Sequence, residues 1–104
     1  MIVRIWHGYT TLENANVYES LLKEEIIKGI EARNIIGYKG IDLFRRELTN
    51  EVEFITIMWF DSLDAVRVFA GEEYEKSVVP PKARKVLKRF DEKIQLYEVR
   101  SSDR

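Results

Sequence analysis

The chain contains no cysteine, and its single histidine is His7. The lack of cysteine excludes a disulfide, a thiolate nucleophile and a cysteine-ligated zinc, and one histidine excludes a histidine-rich metal cluster. The sequence has no apolar run near the roughly 20 residues that a membrane-spanning helix needs, and its first residues are typical of a β-strand rather than of a signal peptide. We therefore expect a soluble, cytoplasmic protein with no membrane partner.

A large excess of charge of either sign is also missing, because 17 Lys and Arg residues nearly balance 18 Asp and Glu residues, for a formal net charge of −1. This balance argues against a general polyanion binder, and we expect no nucleic-acid partner. Basic residues cluster in the segment KARKVLKR, where they alternate with apolar residues as on the solvated face of a helix. The length of 104 residues, 45% of them hydrophobic, suits a single domain over residues 1–104 with one core.

The first third of the chain predicts a strand followed by a long amphipathic helix. β-Branched and aromatic residues over 2–9 indicate the strand. Thr10 and Glu13 then have the spacing of a capping box, which indicates that a helix begins here. Apolar residues recur at spacings of three and four over 12–33, which is typical of one long helix with one buried face. That face consists of Ala15, Tyr18, Leu22, Ile26 and Ile30, with Leu21 and Ile27 widening it.

The middle of the chain predicts a β-hairpin. Alternating residues over 38–48 indicate the second strand, with a bulge or a close backbone approach near Gly40. The run VEFITIMWF at 52–60 indicates the third strand, which pairs with the second in antiparallel fashion. Asp61 or Ser62 then caps a short helix that ends at Gly71, a residue suited to a positive φ.

The last third predicts a broken helical section and a final strand. The segment EEYEKSVVPP is expected to form a helical turn that ends before the two prolines. Pro81 can open the next helix at its first position, and an apolar stripe of Ala83, Val86, Leu87 and Phe90 continues that helix. The segment KIQLYEV at 93–99 indicates strand four, and residues 100–104 form a frayed tail.

The order β-α-β-β-α-β is that of the ferredoxin-like α+β fold, a four-stranded antiparallel sheet with all helices on one face. Strand three is apolar in both phases, because Phe54 and Met58 alternate with Ile57 and Trp59. This pattern indicates that both faces of the sheet are covered. Since the helices can cover one face alone, we expect a second copy of the sheet to cover the other, in a homodimer with a large, mixed apolar interface.

His7 is the first candidate for a functional residue. In strand one it shares a phase with Val3 and Ile5, and if that phase faces the helices the imidazole lies among apolar side chains. It then either bonds a neighbour, as a core or interface residue, or lines a cavity. The pattern leaves this open, because a bulge in strand one would reverse the phase.

Aromatic residues supply the other candidates for a binding site. Trp59 and Trp6 suit the core or an interface better than the wall of a site. Tyr74 follows the helix break at Gly71, where a phenol has room to bind a ligand. Tyr18 on the first helix could approach the same region, although core packing is the simpler interpretation. The sequence contains no glycine-rich phosphate loop, metal-ligand spacing or Ser-His-Asp arrangement.

From RIWHGYT through EFITIMWFDSLDAVRVFAGEEYEKSVVPP to IQLYEV, the chain resembles the antibiotic biosynthesis monooxygenase-like domain of the dimeric α+β barrel superfamily, over nearly its full length. The motifs that carry the resemblance are the third-strand end with a Trp and a Ser, the DAVRVFAG helix and the YEKSVVPP segment. The resemblance implies a ferredoxin-like dimer with a pocket between sheet and helices. It leaves the reaction open, because one fold hosts many functions.

Characterised relatives of that kind include cofactor-free monooxygenases of aromatic quinols, heme degraders and small isomerases. Heme degraders of this fold use an Asn, a Trp and a His where this chain has His7, Phe69 and a residue within 77–79, so the resemblance argues against heme degradation. Cofactor-free oxygenation needs a substrate that donates an electron as its enolate or phenolate from a dry pocket. The resemblance therefore implies an oxidoreductase of a small phenolic or enolisable compound, with neither metal nor organic cofactor.

In that interpretation His7 is the catalytic base or anion stabiliser, and Tyr74 orients an oxygen. The other substrate-binding candidates are Trp59, Phe69 and Tyr18. The alternative is a non-catalytic small-ligand-binding or assembly module of the same fold, in which His7 is a satisfied core residue. A cavity of a few hundred cubic ångström beside His7 would favour the enzyme, whereas a filled space between sheet and helices would favour the module.

Overall fold

The computed structural model describes residues 1–103 as an antiparallel sheet with helices packed on one face. The strands are β1 (Ile2–Thr10), β2 (Tyr38–Glu47), β3 (Val52–Phe60), β4 (Arg89–Phe90) and β5 (Gln95–Glu98). β2 and β3 form the predicted hairpin, and β3 pairs with β1 along its whole length. Arg104, the last residue of the expected frayed tail, lies outside the described residues.

The fourth strand predicted over 93–99 is present as β5, and a further short strand that was not predicted, β4, precedes it along the same edge of β1. β4 pairs with Gly8 and Tyr9, and β5 pairs with the stretch from Ile2 to Ile5. The sheet order is β2-β3-β1-β4, with β5 also on β1. This arrangement confirms the α+β, ferredoxin-like architecture that the element order predicts, with its last strand interrupted at residues 91–94.

The predicted helix over 12–33 is shorter and has an irregular centre. It consists of α1 (Ala15–Leu21), a π-helical segment (Leu22–Ile26) and α2 (Ile27–Ala32). Two further helices follow β3, namely α3 (Leu63–Ala70) and α4 (Pro81–Val86). Among residues 1–103, no helix combines the length and the apolar character needed to cross a bilayer.

The predicted capping box at Thr10 is wrong. β1 continues through Thr10, which is fully buried and pairs with Val52, so this residue is part of the sheet. Instead, the Thr11 hydroxyl accepts a hydrogen bond from the Asn14 amide at 3.2 Å, just before α1 begins at Ala15. Strand pairing over the whole of β1 outweighs a local cap, whose contribution is about 1 kcal/mol.

Local signals around β2 and α3 are confirmed. A register shift between Tyr38 and Gly40 marks the predicted bulge, and Gly40 has a φ of 131°. The Ser62 hydroxyl caps α3 by accepting a hydrogen bond from the Ala65 amide at 3.2 Å. Gly71 ends the helix with a φ of 87°, a conformation that residues with a Cβ rarely adopt.

The segment EEYEKSVVPP is less helical than predicted. A turn spans residues 72–75, after which Lys76 forms an isolated β-bridge with Lys93 and residues 77–80 have no regular structure. The bridge and the two prolines, which cannot donate backbone hydrogen bonds, keep the end of this segment extended. It therefore lies across one end of the space between sheet and helices.

The helix that begins at Pro81 is shorter than its apolar stripe predicts. It ends at Val86, and Leu87 already has extended backbone angles. The Lys88 amide donates to the carbonyl oxygen of Tyr9 at 2.7 Å, so pairing with β1 replaces the last helical turns. Phe90, predicted to lie on the helix, belongs to β4.

The helices cover the face of the sheet that carries the even-numbered residues of β1 and β3. Two apolar clusters fill the space between them, one around Trp6, Tyr18 and Phe54 and the other around Met58, Phe60 and Phe69. The odd-numbered residues lie on the opposite face, which no helix of residues 1–103 covers, and most of them, among them Ile55, Ile57 and Trp59, are half-buried. We call this second surface the open sheet face.

Candidate ligand site

A cavity of about 60 Å³ lies between the sheet and the helices. One water molecule needs about 10–15 Å³ by the same measure, so this inner cavity holds a few waters or one small polar group. Arg4 and Trp6 of β1 and Thr56 and Met58 of β3 form its floor. The side walls come from the long helical region and from Phe69 of α3, and residues 78–80 close one end.

The π-helical segment contributes two side chains to the inner cavity, Leu22 and Ile26. A π-helical turn accommodates an extra residue, which rotates the following side chains around the helix axis, and such turns are frequent at functional sites. The apolar spacing of three and four is compatible with a regular helix as well. The sequence pattern therefore predicted the residues of this wall but not its irregular backbone.

Arg4 is the charged residue of the inner cavity and is only 5% exposed. Its Nη2 donates to the carbonyl oxygen of Lys76 at 2.9 Å, and its guanidinium carbon lies 5.3 Å from the centre of the Phe69 ring. Its Nε–H is buried and has no hydrogen-bond partner among residues 1–103. Burial lowers the pKa of Arg4 to about 10, so the guanidinium remains positively charged at neutral pH.

Tyr18 and Thr56 are the neutral polar residues of the cavity. Tyr18 is 1% exposed, and its ring packs edge-on against Phe54 with 5.0 Å between ring centres. Burial raises the pKa of the Tyr18 phenol above its ordinary value, so the hydroxyl is protonated at neutral pH and can donate a hydrogen bond. Thr56 is also buried and brings a second hydroxyl. The arrangement can hold a polar oxygen beside one cation and two neutral donors.

A wider cleft of about 530 Å³ adjoins the inner cavity. The two share wall residues, including Ile26, Ile30 and Phe69. Charged residues stand at the cleft: Lys82 pairs with Glu25 at 2.9 Å, and Arg33 donates to backbone oxygens of α3. The cleft has room for the body of a small organic molecule, whereas the inner cavity has room for its polar end.

His7 lies on the open sheet face, so the expectation that it lines the pocket between sheet and helices is wrong. Trp6 and Arg4 occupy the strand phase that faces the helices, and His7 occupies the other. Its Nδ1 lies 2.7 Å from Oδ2 of Asp91, which also accepts from the His7 amide at 3.1 Å. His7 therefore joins β1 to the loop between β4 and β5, in line with the interpretation of a histidine that bonds a neighbour.

The other predicted site residues divide between the two faces of the sheet. Tyr18 and Phe69 line the inner cavity. Trp59 lies on the open sheet face, where its indole nitrogen donates to Asp42 at 2.8 Å. Tyr74 lies outside the inner cavity, because the chain after Gly71 turns toward the strand edge. The guanidinium carbon of Arg67 lies 5.4 Å from the centre of the Tyr74 ring. The structure thus brings two of the five predicted residues together.

Sequence reasoning missed Arg4 and Thr56. Both are polar residues in a strand phase that otherwise carries buried apolar residues. A charge in such a phase is costly to bury, and that cost is itself a signal of function. The signal was hidden because the phase of β1 that faces the helices was unknown.

Comparison with solved structures identifies the architecture. A protein of Bacillus cereus assigned as an antibiotic biosynthesis monooxygenase matches with a TM-score of 0.69, at 12% identity over 99% of this chain and 96% of that one. The chain has an antibiotic biosynthesis monooxygenase-like fold. A Deinococcus radiodurans protein with the same assignment matches with a TM-score of 0.64, at 16% identity over 100% of this chain and 97% of that one.

A heme degrader of Mycobacterium tuberculosis, MhuD, shares the monooxygenase-like fold as well. It matches with a TM-score of 0.60, at 18% identity over 99% of each chain, and its structure holds two hemes in the active site. No protein-family sequence model matches the chain, and no curated protein matches it by sequence. At these identities the similarity establishes the fold, and the chemistry has to be argued from the residues of the cavity.

Proposed function

We propose that this chain is a monooxygenase-like enzyme that oxidises a small phenolic or enolisable compound in the cavity between sheet and helices. The observation that carries the proposal is a largely apolar cavity that contains the buried guanidinium of Arg4 and the buried hydroxyls of Tyr18 and Thr56. Such a combination of apolar walls and a few convergent polar groups is typical of small-molecule sites. The related fold of proteins assigned as monooxygenases supports the reaction class.

The proposed reaction converts an activated ring methylene to a carbonyl. The substrate loses a proton to give its enolate or phenolate, and this anion transfers electrons to O2. One oxygen atom becomes the new carbonyl oxygen, and the other leaves as water with the two hydrogens that the methylene carbon loses. Since the substrate itself reduces O2, the protein contributes binding, orientation and exclusion of water.

The cavity constrains which substrates can react. Among residues 1–103, no carboxylate and no imidazole line the inner cavity, so the substrate has to lose its proton to solvent before the cavity encloses it. This requirement favours compounds that are already acidic, such as phenols and stabilised enols. Tyr18, whose raised pKa keeps it protonated, donates a hydrogen bond to the substrate oxygen.

Oxygen uptake with a dihydroxyanthrone tests the proposal. Wild-type protein should consume O2 faster than buffer and form the corresponding quinone. Tyr18→Phe removes the donated hydrogen bond while keeping the ring, and we expect it to lower kcat by about ten-fold or more. His7→Gln changes a residue on the open sheet face, outside the cavity. We expect its kcat to remain within about two-fold of wild type, because a larger change would require that His7 act as a general acid or base.

Two results would contradict this assignment. An oxygen-uptake rate equal to that of buffer with dihydroxyanthrone and related quinols would refute the oxygenase, and loss of activity in His7→Gln but not in Tyr18→Phe would place the chemistry on the open sheet face. Circular dichroism of each variant at the assay temperature controls for unfolding.

A ligand-binding module is the second candidate, and the small inner cavity favours it. A volume of about 60 Å³ falls below the few hundred cubic ångström expected of an enzyme pocket, although the adjoining cleft adds room. A compound that raises the melting temperature without any oxygen consumption would support the module, because a ligand that binds the folded state alone stabilises it. Heme degradation by a histidine-ligated heme in this cavity is disfavoured, since His7 lies on the opposite face.

We also propose that the chain forms a homodimer through the open sheet face, where Ile5, Ile55 and Ile57 lie side by side on β1 and β3. Analytical ultracentrifugation should give about twice the chain mass. Ile57→Asp should shift the protein to monomer, because an unpaired carboxylate would be buried in the interface. Val68→Asp, at a site 62% exposed on α3, is the matched control and should remain dimeric. A monomeric wild type would refute the dimer.

A further inference from the structure

We infer that the inner cavity selects an anionic ligand, in which an oxyanion is joined to an apolar body, and that Arg4 makes this selection. The inference rests on the proposed function and deepens it, because it names the charge and shape of the substrate class. The observation behind it is a buried guanidinium with an unbonded Nε–H, in a cavity that opens into an apolar cleft.

Arg4 lacks a counter-charge within residues 1–103. A buried cation is costly unless a carboxylate pairs with it. Elsewhere in the chain a buried charge has a partner of opposite sign: the buried carboxylate of Glu53 is bound by the exposed Arg46 at 2.6 Å. Arg4 instead donates to a backbone carbonyl oxygen, and within residues 1–103 no carboxylate lies within ion-pair distance of it. An anionic ligand would supply the charge that the protein leaves out.

The donors of the Arg4 side chain have a geometry that suits an oxyanion. A guanidinium presents its N–H groups as a planar fork that suits a carboxylate or a phenolate. Nη2 of Arg4 is already bonded to Lys76, and the Phe69 ring at 5.3 Å limits the movement of the group. The Nε–H has no partner within residues 1–103, so a ligand oxygen that reaches it would complete its hydrogen bonding. The hydroxyls of Tyr18 and Thr56 line the same cavity.

The volumes of the inner cavity and the cleft match the two parts of such a ligand. The inner cavity of about 60 Å³ fits an oxygen-bearing group, and the cleft of about 530 Å³ fits an aromatic or acyl body. Isoleucine and proline side chains line the cleft, including Ile26, Ile30 and Pro80. The ligand class is thus a compact amphipathic monoanion, either a carboxylate or an ionised phenol or enol.

Matched acid and amide pairs test the charge preference. We would titrate naphthoate against naphthamide, and octanoate against octanamide, by isothermal calorimetry near neutral pH. In each pair the two compounds have nearly the same shape and differ in charge. Wild type should bind at least one acid about ten-fold or more tightly than its amide, as expected of a buried charge-assisted hydrogen bond.

Variants at position 4 assign the preference to one side chain. Arg4→Met keeps the length and apolar contacts, and should reduce the acid-to-amide ratio to within about three-fold by removing the charge. Arg4→Lys keeps the charge without the fork and should restore part of the ratio. Arg67→Met, outside the cavity, should leave the ratio unchanged. Melting temperatures establish that each variant is folded.

Nitrophenol gives a readout that a purely structural role for Arg4 would not change. Its phenolate and phenol absorb at different wavelengths, so the ionisation of the bound ligand can be followed directly. Bound to wild type, nitrophenol should ionise at a lower pH than in water, because the guanidinium stabilises the phenolate. Bound to Arg4→Met, it should ionise at a higher pH than in water, because the apolar cavity then disfavours the anion.

Equal affinity of wild type for acid and amide, a preference that survives in Arg4→Met, or binding of neither pair would overturn the inference. These results are distinguishable from a failure of the proposed oxygenase. Anion selection without oxygen uptake would refute the reaction and leave Arg4 as the anion-binding residue. Oxygen uptake without a charge preference would refute anion selection by Arg4 and leave the oxygenase in place.

Discussion

Phe54→Ala is expected to lower the free energy of unfolding by about 3–5 kcal/mol, the range measured for removal of a buried aromatic ring. Phe54 is 0% exposed, and its ring packs between Tyr18, 5.0 Å away, and the guanidinium of Arg45, 5.6 Å away. Since β3 lies at the centre of the sheet, the backbone cannot move to fill the space that the ring leaves. Urea denaturation followed by circular dichroism measures the change.

The control for Phe54→Ala is Ile36→Ala, at a residue 93% exposed, which should alter the free energy of unfolding by no more than about 0.5 kcal/mol. A cost for Phe54→Ala below about 1.5 kcal/mol would show that the core around Tyr18 collapses to fill the cavity, contrary to a tightly packed interior. The same variant should weaken ligand binding, because Tyr18 loses the ring that holds it against the inner cavity.

Gly8→Ala is expected to cost about 1–3 kcal/mol, the range for overpacking a core. Gly8 and Trp6 are two residues apart in β1 and share the face that meets the helices, so the indole lies over the glycine. A Cβ at Gly8 would lie 2.8 Å from Cζ3 of Trp6, and closer still to Cη2. The indole cannot move away freely, because its nitrogen donates to the carbonyl oxygen of Asp91 at 3.2 Å and its ring lies beside Phe90.

A double-mutant cycle identifies the clash as the cause. Trp6→Leu removes the ring that the new methyl group meets, so Gly8→Ala should cost at least about 1 kcal/mol less in the Trp6→Leu background than in wild type. If the two costs add without coupling, the requirement for glycine lies in the backbone rather than in the indole. Melting temperatures of the four proteins would show the same coupling.

Sequence patterns with a local physical cause predicted the fold well. The strand over 52–60, the bulge at Gly40, the Ser62 cap and the helix start at Pro81 are all present in the structure. Each depends on one residue's own φ, side-chain oxygen or missing N–H, or on alternation within one strand. Where a non-local partner competed, local reasoning failed, as at Thr10, which pairs with β3 instead of capping a helix.

The candidate site was predicted less well, for a related reason. Alternation in β1 divides the strand into one set with His7 and another with Arg4 and Trp6, but both sets contain apolar residues. Nothing within the strand distinguishes the two faces. In the structure Arg4 faces the cavity and His7 faces Asp91, so the cavity position expected for His7 belongs to Arg4, a residue to which the sequence analysis gave no role.

From its residue order the chain already specified the α+β class, the hairpin, one helix-covered face and a second face with its own apolar residues, since these follow from period and propensity along the chain. Packing of the helices on one side of β1 then settled which polar residue is enclosed, where the last helix stops and how large the cavity is. These properties depend on contacts between residues far apart in sequence, such as Arg4 with Lys76 and Lys88 with Tyr9. Because such contacts form only in the folded chain, the anion-binding role proposed for Arg4 became visible in three dimensions alone.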